Sequence, residues 1–233
     1  MTPSPVFMLR EEILEFYSTL KEVNKDNFDG FPKDWELANP YKKYWNRFKF
    51  FVDNYYHDDS PRDLIIALNP GRKGCSRTGI ALTDEKTLKT KLGCPESILN
   101  LKEERPEEEN TAQRVYPIIE EVFSGDMDKF FSRYFLTNVF PFGITNKKRN
   151  NVNFKQLIKI ESINDFSNKF ISDSIKLFKL DKSKRLLCVG RGSEDFIGKK
   201  FKKFIPKYLP HPSPLNRNWS MDDIKKEWRH TLR

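Results

Sequence analysis

Cysteine is scarce: Cys75, Cys94 and Cys188 are the whole supply, an odd number with no CxxC spacing. That excludes a closed disulfide framework and any four-thiolate zinc or iron–sulfur site. It points to a reducing, intracellular setting, the cytoplasm, or the nucleoid if the source is bacterial. Long apolar runs are missing too. No stretch approaches the ~20 residues that span a bilayer. The opening MTPSPVFMLREEILEF meets charge within ten positions and holds no export-signal core. A soluble chain with no membrane partner is expected. Repeats and low-complexity linkers are absent as well. The nearest thing to a boundary is the acidic run KEERPEEEN at 102–110. We read it as a solvated loop inside one domain covering 1–233, with Glu107, Glu108 and Glu109 in water and not a paired-carboxylate site.

What is present argues for a packed core and a polyanionic partner. Hydrophobic residues make up 37% of the chain and include 20 phenylalanines, enough to rule out wholesale disorder. Lys and Arg total 42 against 33 acidic residues, a net charge of +9. Such an excess suits phosphate neutralisation and counterion release. A solvated lysine surface would look the same by count alone. Within the basic residues, Lys147-Lys148-Arg149 is the better candidate for a nucleic-acid contact than the cluster at Lys199-Lys200 and Lys202-Lys203. His57 and His230 read as surface residues.

Apolar spacing predicts helices over 11–23, 41–55, 114–123, 163–180 and 221–230. Between them lie the short apolar runs DLIIAL (63–68), YFLTNVF (134–140) and RLLCV (185–189), with a weaker one at 207–209. Such runs alternating with helices imply a parallel sheet covered on both faces. Ligands of these sheets sit beyond the carboxyl ends of the strands. Three of those ends carry polar residues framed by proline or glycine. The first gives Asn69-Pro70-Gly71 with Thr78-Gly79 downstream, the second Asn138, and the last His211-Pro212-Ser213-Pro214-Leu215. Singly, each is mute. Asn-Pro-Gly is an ordinary turn, and the glycine loop lacks the Gly-Lys-Ser/Thr ending of a phosphate-binding P-loop. Gly190-Arg191-Gly192 opens like a dinucleotide fingerprint, but Asp195 stands at its third glycine position, and Ser193 reads as the N-cap of the next helix.

Together and in this order, the three ends resemble the uracil-DNA glycosylase superfamily, above all its single-strand-selective monofunctional branch. The resemblance covers about 63–218, preceded by a helical part at 1–60. It implies an α/β fold of three αβα layers around a central, mainly parallel four-stranded sheet. It also implies a monofunctional, base-flipping hydrolase that cuts the N-glycosidic bond of uracil and opens base-excision repair. The partner would be uracil-containing DNA, single- or double-stranded, met by a monomer that needs no cofactor and no metal.

Carried over residue by residue, the resemblance assigns Asn69 to holding the attacking water and His211 to donating toward uracil O2 as the base departs. Asn138 would read the uracil edge, and Leu68 and Gly71 would line the pocket. Pro70, Pro212, Ser213 and Pro214 would meet the DNA backbone. Two departures stand out. The branch has a phenylalanine three residues after the Thr-Gly glycine, where this chain has Leu82. Either Phe140 or Phe142, with Phe142 the expected pocket residue, supplies the missing ring, or the pocket accepts a different base, such as a related damaged pyrimidine. Leu215 follows the last motif where the branch has arginine, and resembles the wedge that fills the gap behind a flipped base. The alternative is a nucleic-acid-binding protein that keeps the fold and has lost catalysis. Leu82 supports it; retention of both Asn69 and His211 opposes it.

Overall fold

The computed structural model describes residues 9–101, 105–180, 185–212 and 219–233. Ser213, Pro214 and Leu215 fall outside them. Among the described residues six strands form: β1 (Trp35–Ala38), β2 (Asp63–Ala67), β3 (Tyr134–Asn138), β4 (Gly143–Asn146), β5 (Leu186–Val189) and β6 (Lys207–Leu209). Four make a parallel sheet in the order β3-β2-β5-β6. Every residue of β2, β3 and β5 is buried, which is why these strands read as unbroken apolar runs and not as alternating ones. The charged start of β2 is matched locally: Asp63 accepts from the backbone N–H and Nε of Arg185 at 2.9 and 2.7 Å.

The long helices are α1 (Leu9–Ser18), α2 (Trp45–Tyr55), α3 (Asn110–Phe123), α4 (Glu161–Leu177), α5 (Arg191–Lys200) and α6 (Met221–Leu232). The two-residue period of β3 sorts them into layers. Phe135 and Thr137 face one way. Phe135 packs on Phe178, just past α4, at 4.4 Å between ring centres. Thr137 meets the Tyr17 hydroxyl of α1 at 3.1 Å. Tyr134 faces the other way, against Phe123 of α3, and its hydroxyl donates to the Leu232 carbonyl of α6 at 3.1 Å. α2 packs outside α1 through Tyr17 and Phe48, 4.6 Å apart. The result is the expected three-layer α/β arrangement, with a buried hydrophobic cluster that joins all the layers.

The structure departs from the sequence expectations in several places. β1 and β4 form an antiparallel ribbon that the sequence does not announce. α3 begins at Asn110, four residues before its apolar spacing starts. The helix after β5 is capped by Gly190 at φ +85°, with Ser193 inside it. The Ser193 hydroxyl turns back to the Val189 carbonyl at 2.8 Å. Gly190 suits that turn because its conformation is left-handed, and a Cβ there would press on Cβ of His211 at 3.3 Å.

Register decides what the sheet presents. Ala67 lies level with Asn138 and Val189 with Leu209. Asn69, Asn138 and His211 therefore leave the sheet at the same edge.

Candidate active site

At that edge lies a cavity of about 170 Å³, the space of roughly six waters at ~30 Å³ each and the scale of one pyrimidine ring. Leu68, Asn69, Pro70 and Gly71 line it from the end of β2, Asn138 from β3, Leu82 from the turn after Thr78-Gly79, and His211 from the end of β6. Four residues that sequence reasoning missed complete the wall: Ala67, Cys75, Glu109 and Thr111.

Asn138 is nearly fully buried, and its Nδ2 donates to Sγ of Cys75 at 3.2 Å. Burial pushes the Cys75 thiol far above its ordinary range, so the sulfur stays a neutral acceptor. One amide N–H of Asn138 is thus spoken for. The other, with the carbonyl oxygen, is left to face the cavity.

His211 is held by its neighbours in the chain. The Pro210 carbonyl accepts from Nε1 of the fully buried Trp228 on α6 at 2.8 Å. The Pro212 carbonyl accepts from Nη1 of Arg114 on α3 at 3.0 Å. Gly190 N–H adds a bond to the Leu209 carbonyl at 2.8 Å. Pro212 therefore serves as a backbone anchor behind the loop and lies off the cavity wall. Burial lowers the His211 pKa below its ordinary 6.5. The ring is neutral at pH 7, able to donate one N–H without carrying a full charge into the site.

Of the acidic run, Glu107 and Glu108 stand at the surface as expected, and Glu109 does not. Glu107 pairs with Lys73 and Glu108 with Lys86, both at 2.9 Å. The backbone of the run is gripped by two buried carboxylates. Glu107 N–H donates to Glu85 at 3.0 Å and Glu109 N–H to Asp84 at 2.6 Å. Glu85 is in turn tied to the buried Arg47 guanidinium at 2.5 Å. Glu109 precedes α3 without capping it by its side chain. The carboxyl instead lies over the glycine loop. Burial, with the Asp84 charge adding to it, pushes its pKa up to about 7.

Leu82 is buried on the cavity wall at φ +57°, a left-handed conformation that costs a branched side chain about 1–3 kcal/mol. Hydrogen bonds overdetermine that turn. The Thr78 hydroxyl donates to the Thr83 carbonyl at 2.9 Å, and the Thr83 and Tyr116 hydroxyls meet at 2.8 Å. Neither Phe140 nor Phe142 replaces the absent ring. Both are fully buried, 5.4 Å apart between ring centres, and Phe142 packs on Tyr41 and Phe166 outside the cavity.

Outside the cavity, Arg72 N–H donates to Oδ1 of Asn151 at 3.2 Å, which seats the turn after β4 beside the glycine loop. Exposed Lys147, Lys148 and Arg149 stand on that turn. A second hollow of about 550 Å³ shares Leu68 with the cavity and is rimmed by Lys155, Arg191, Lys199 and Lys200. Among the described residues no group of three His, Cys, Asp or Glu is placed to hold a metal ion, and no helix is long and apolar enough to cross a membrane.

Comparison with known proteins reaches both the family and the fold. A family model described as the uracil DNA glycosylase superfamily matches residues 54–233. The crystal structure of wild-type Pedobacter heparinus SMUG2 is similar in fold, with a TM-score of 0.81 over 97% of each chain at 21% sequence identity. No curated protein matches.

Proposed function

The chain belongs to the uracil DNA glycosylase superfamily, and from that premise we propose that it is a monofunctional enzyme that hydrolyses the N-glycosidic bond of uracil in DNA. The observation that carries this reading is the meeting of Asn69, Asn138 and His211, from three separate strand ends, around one cavity the size of a pyrimidine.

Each residue then has a role its chemistry can fill. Uracil leaves as an anion, so a donor aimed at its carbonyl lowers the barrier directly, and losing one such donor typically costs about 10²–10³ in rate. A neutral His211 suits that role, because it donates to O2 and strengthens the bond as charge develops. Asn69 is too weak a base to deprotonate water outright, so its part is to hold the water in line with the sugar carbon. Asn138 offers its free N–H to uracil O4 and its oxygen to N3–H. Cytosine, with donor and acceptor exchanged, leaves both unpaired, a mismatch of the kind that rejects a wrong partner by ~10⁴-fold. Neither a metal nor a covalent intermediate is needed. The base must first leave the stack, at roughly a few kcal/mol in duplex DNA. Leu215 would fill the gap behind it, and the +9 charge would hold the backbone.

The test is excision from a uracil-containing oligonucleotide with EDTA present, read as alkali-labile abasic sites. Strict dependence on a divalent ion, or binding of the strand with no excision, would overturn the proposal in favour of a binding protein.

A further inference from the structure

We propose that Glu109 is a specificity-determining residue of the pocket: its carboxyl forms the wall left open by Gly71 and Gly74 and hydrogen-bonds the extruded base. This deepens the glycosylase reading and rests on it.

The placement is carried by the glycines. A Cβ at Gly71 would lie 1.9 Å from Oε1 of Glu109, and a Cβ at Gly74 would lie 1.9 Å from Oε2. Both carboxyl oxygens therefore occupy space that side chains at 71 and 74 would otherwise fill. Gly71 follows Asn69 by two residues, and Gly74 precedes Cys75, which holds the Asn138 amide. The carboxyl thus stands on the wall between the residue assigned to the water and the residue assigned to the base edge. A base that fills a cavity of about 170 Å³ touches it.

The carboxyl is not used up elsewhere. Its neighbours Glu107 and Glu108 are both ion-paired, whereas Glu109 has no ion pair among the described residues. The segment is anchored through its backbone N–H on Asp84, which also accepts from Gln113 at 3.0 Å. The charged and titratable groups around it are Asp84 beneath, Cys75 beside the glycine loop and His211 across the cavity. Lys73 is engaged by Glu107, and Arg72 is exposed. Among the described residues no cation is placed to hold Glu109 ionised, and burial favours the acid. As the acid it has an O–H to donate to a base carbonyl, and that bond tightens as the base becomes an anion. As a carboxylate it would oppose the same charge.

The experiment compares wild type with Glu109→Gln, Glu109→Ala and Gly71→Ala, each checked for a cooperative unfolding transition near pH 6, where the folded carboxyl is mostly the acid. Single-turnover excision of uracil from a single strand is followed from about pH 6 to 9. Binding of a strand carrying non-hydrolysable 2′-fluorodeoxyuridine is compared with binding of the same strand lacking it. Wild-type excision should decline above about pH 7. Glu109→Gln, which keeps a donor, should stay near the wild-type rate at pH 6 and lose the decline. Glu109→Ala should lose about 10- to 100-fold in rate and in preference for the modified strand, the worth of a bond to a charged group. Gly71→Ala should displace the carboxyl and reproduce that loss, and combining it with Glu109→Ala should add nothing. Wild-type rates and preference in Glu109→Ala would overturn the contact. Glu109→Gln that prefers the modified strand yet does not excise would make the group a base and overturn the donor. Wild type that prefers the modified strand yet excises nothing would refute the glycosylase reading by itself, while the binding comparison still decides Glu109.

Discussion

Cys75→Ala should weaken the choice between uracil and cytosine far more than it slows uracil excision. A side-chain amide can sit either way round, and its two orientations exchange donor and acceptor. With the S–H turned away from the amide, the bond from Nδ2 of Asn138 to the Cys75 sulfur at 3.2 Å sets the choice. A buried neutral hydrogen bond is worth about 0.5–1.5 kcal/mol net. Taking about 1 kcal/mol, with ~1.4 kcal/mol to each factor of ten, the anchored orientation is favoured about fivefold. Without the thiol the two become nearly equal. The fraction competent for uracil then falls from about five-sixths to one-half, a loss of less than twofold. The flipped fraction, which matches cytosine, rises about threefold, so the ratio of the two rates drops about fivefold. Single-turnover excision on matched oligonucleotides, with long incubations for cytosine, measures that ratio. Cys75→Ser, whose hydroxyl can still accept, should restore it to within about twofold. An unchanged ratio in a folded Cys75→Ala protein would refute the idea that the thiol orients the amide.

Asn69→Ala should lose most of its turnover, about 10²-fold or more, while its DNA affinity in a binding titration stays within about twofold, because Asn69 is assigned to the water and not to phosphates. Glu109→Gln should raise the unfolding midpoint at pH 8 and leave it unchanged at pH 4.5. The folded carboxyl holds its proton to about pH 7 against an ordinary 4.5, so stability is lost as pH climbs between those values, by up to about 3 kcal/mol. His211 tilts the other way below its ordinary 6.5, since its folded pKa is lowered. The same titration on Glu109→Gln isolates that opposite slope. Trp228→Phe should cost about 2–4 kcal/mol in denaturant unfolding, from lost packing and an orphaned Pro210 carbonyl. It should also slow excision through His211 without changing the base preference set by Asn138.

The parallel strands were legible because a strand buried on both faces must be apolar throughout, and DLIIA, YFLTN and LLCV are nearly so. The ribbon was not. Trp35–Ala38 alternates over only four residues, and its partner at Gly143–Asn146 has no apolar pattern. At the site, motif residues framed by proline and glycine announced Asn69, Asn138 and His211. Glu109 was hidden by its neighbours, because a run of acids reads as solvated until something binds its backbone. That something, Asp84 and Glu85, lies 22 to 25 residues away. Local periodicity carries no trace of it. The conformation of Leu82 was equally out of reach, since left-handed leucine is fixed by the surrounding hydroxyls and not by its own preference.

The bond from Trp228 to the Pro210 carbonyl has a bearing on when the molecule becomes competent. A ribosome adds about 5–20 residues per second. Asn69 and Asn138 therefore emerge several seconds before the helix Met221–Leu232 that seats the His211 loop. Until that helix docks, a nascent chain already carries much of its basic surface but has no seated histidine to draw a base away. Under the proposed function, a copy lacking that docked helix would hold DNA and leave its bases in place. Abasic sites, themselves lesions, would then be made only by chains in which Met221–Leu232 is docked. Fraying of the same helix in a finished chain would silence the site well before the sheet gives way.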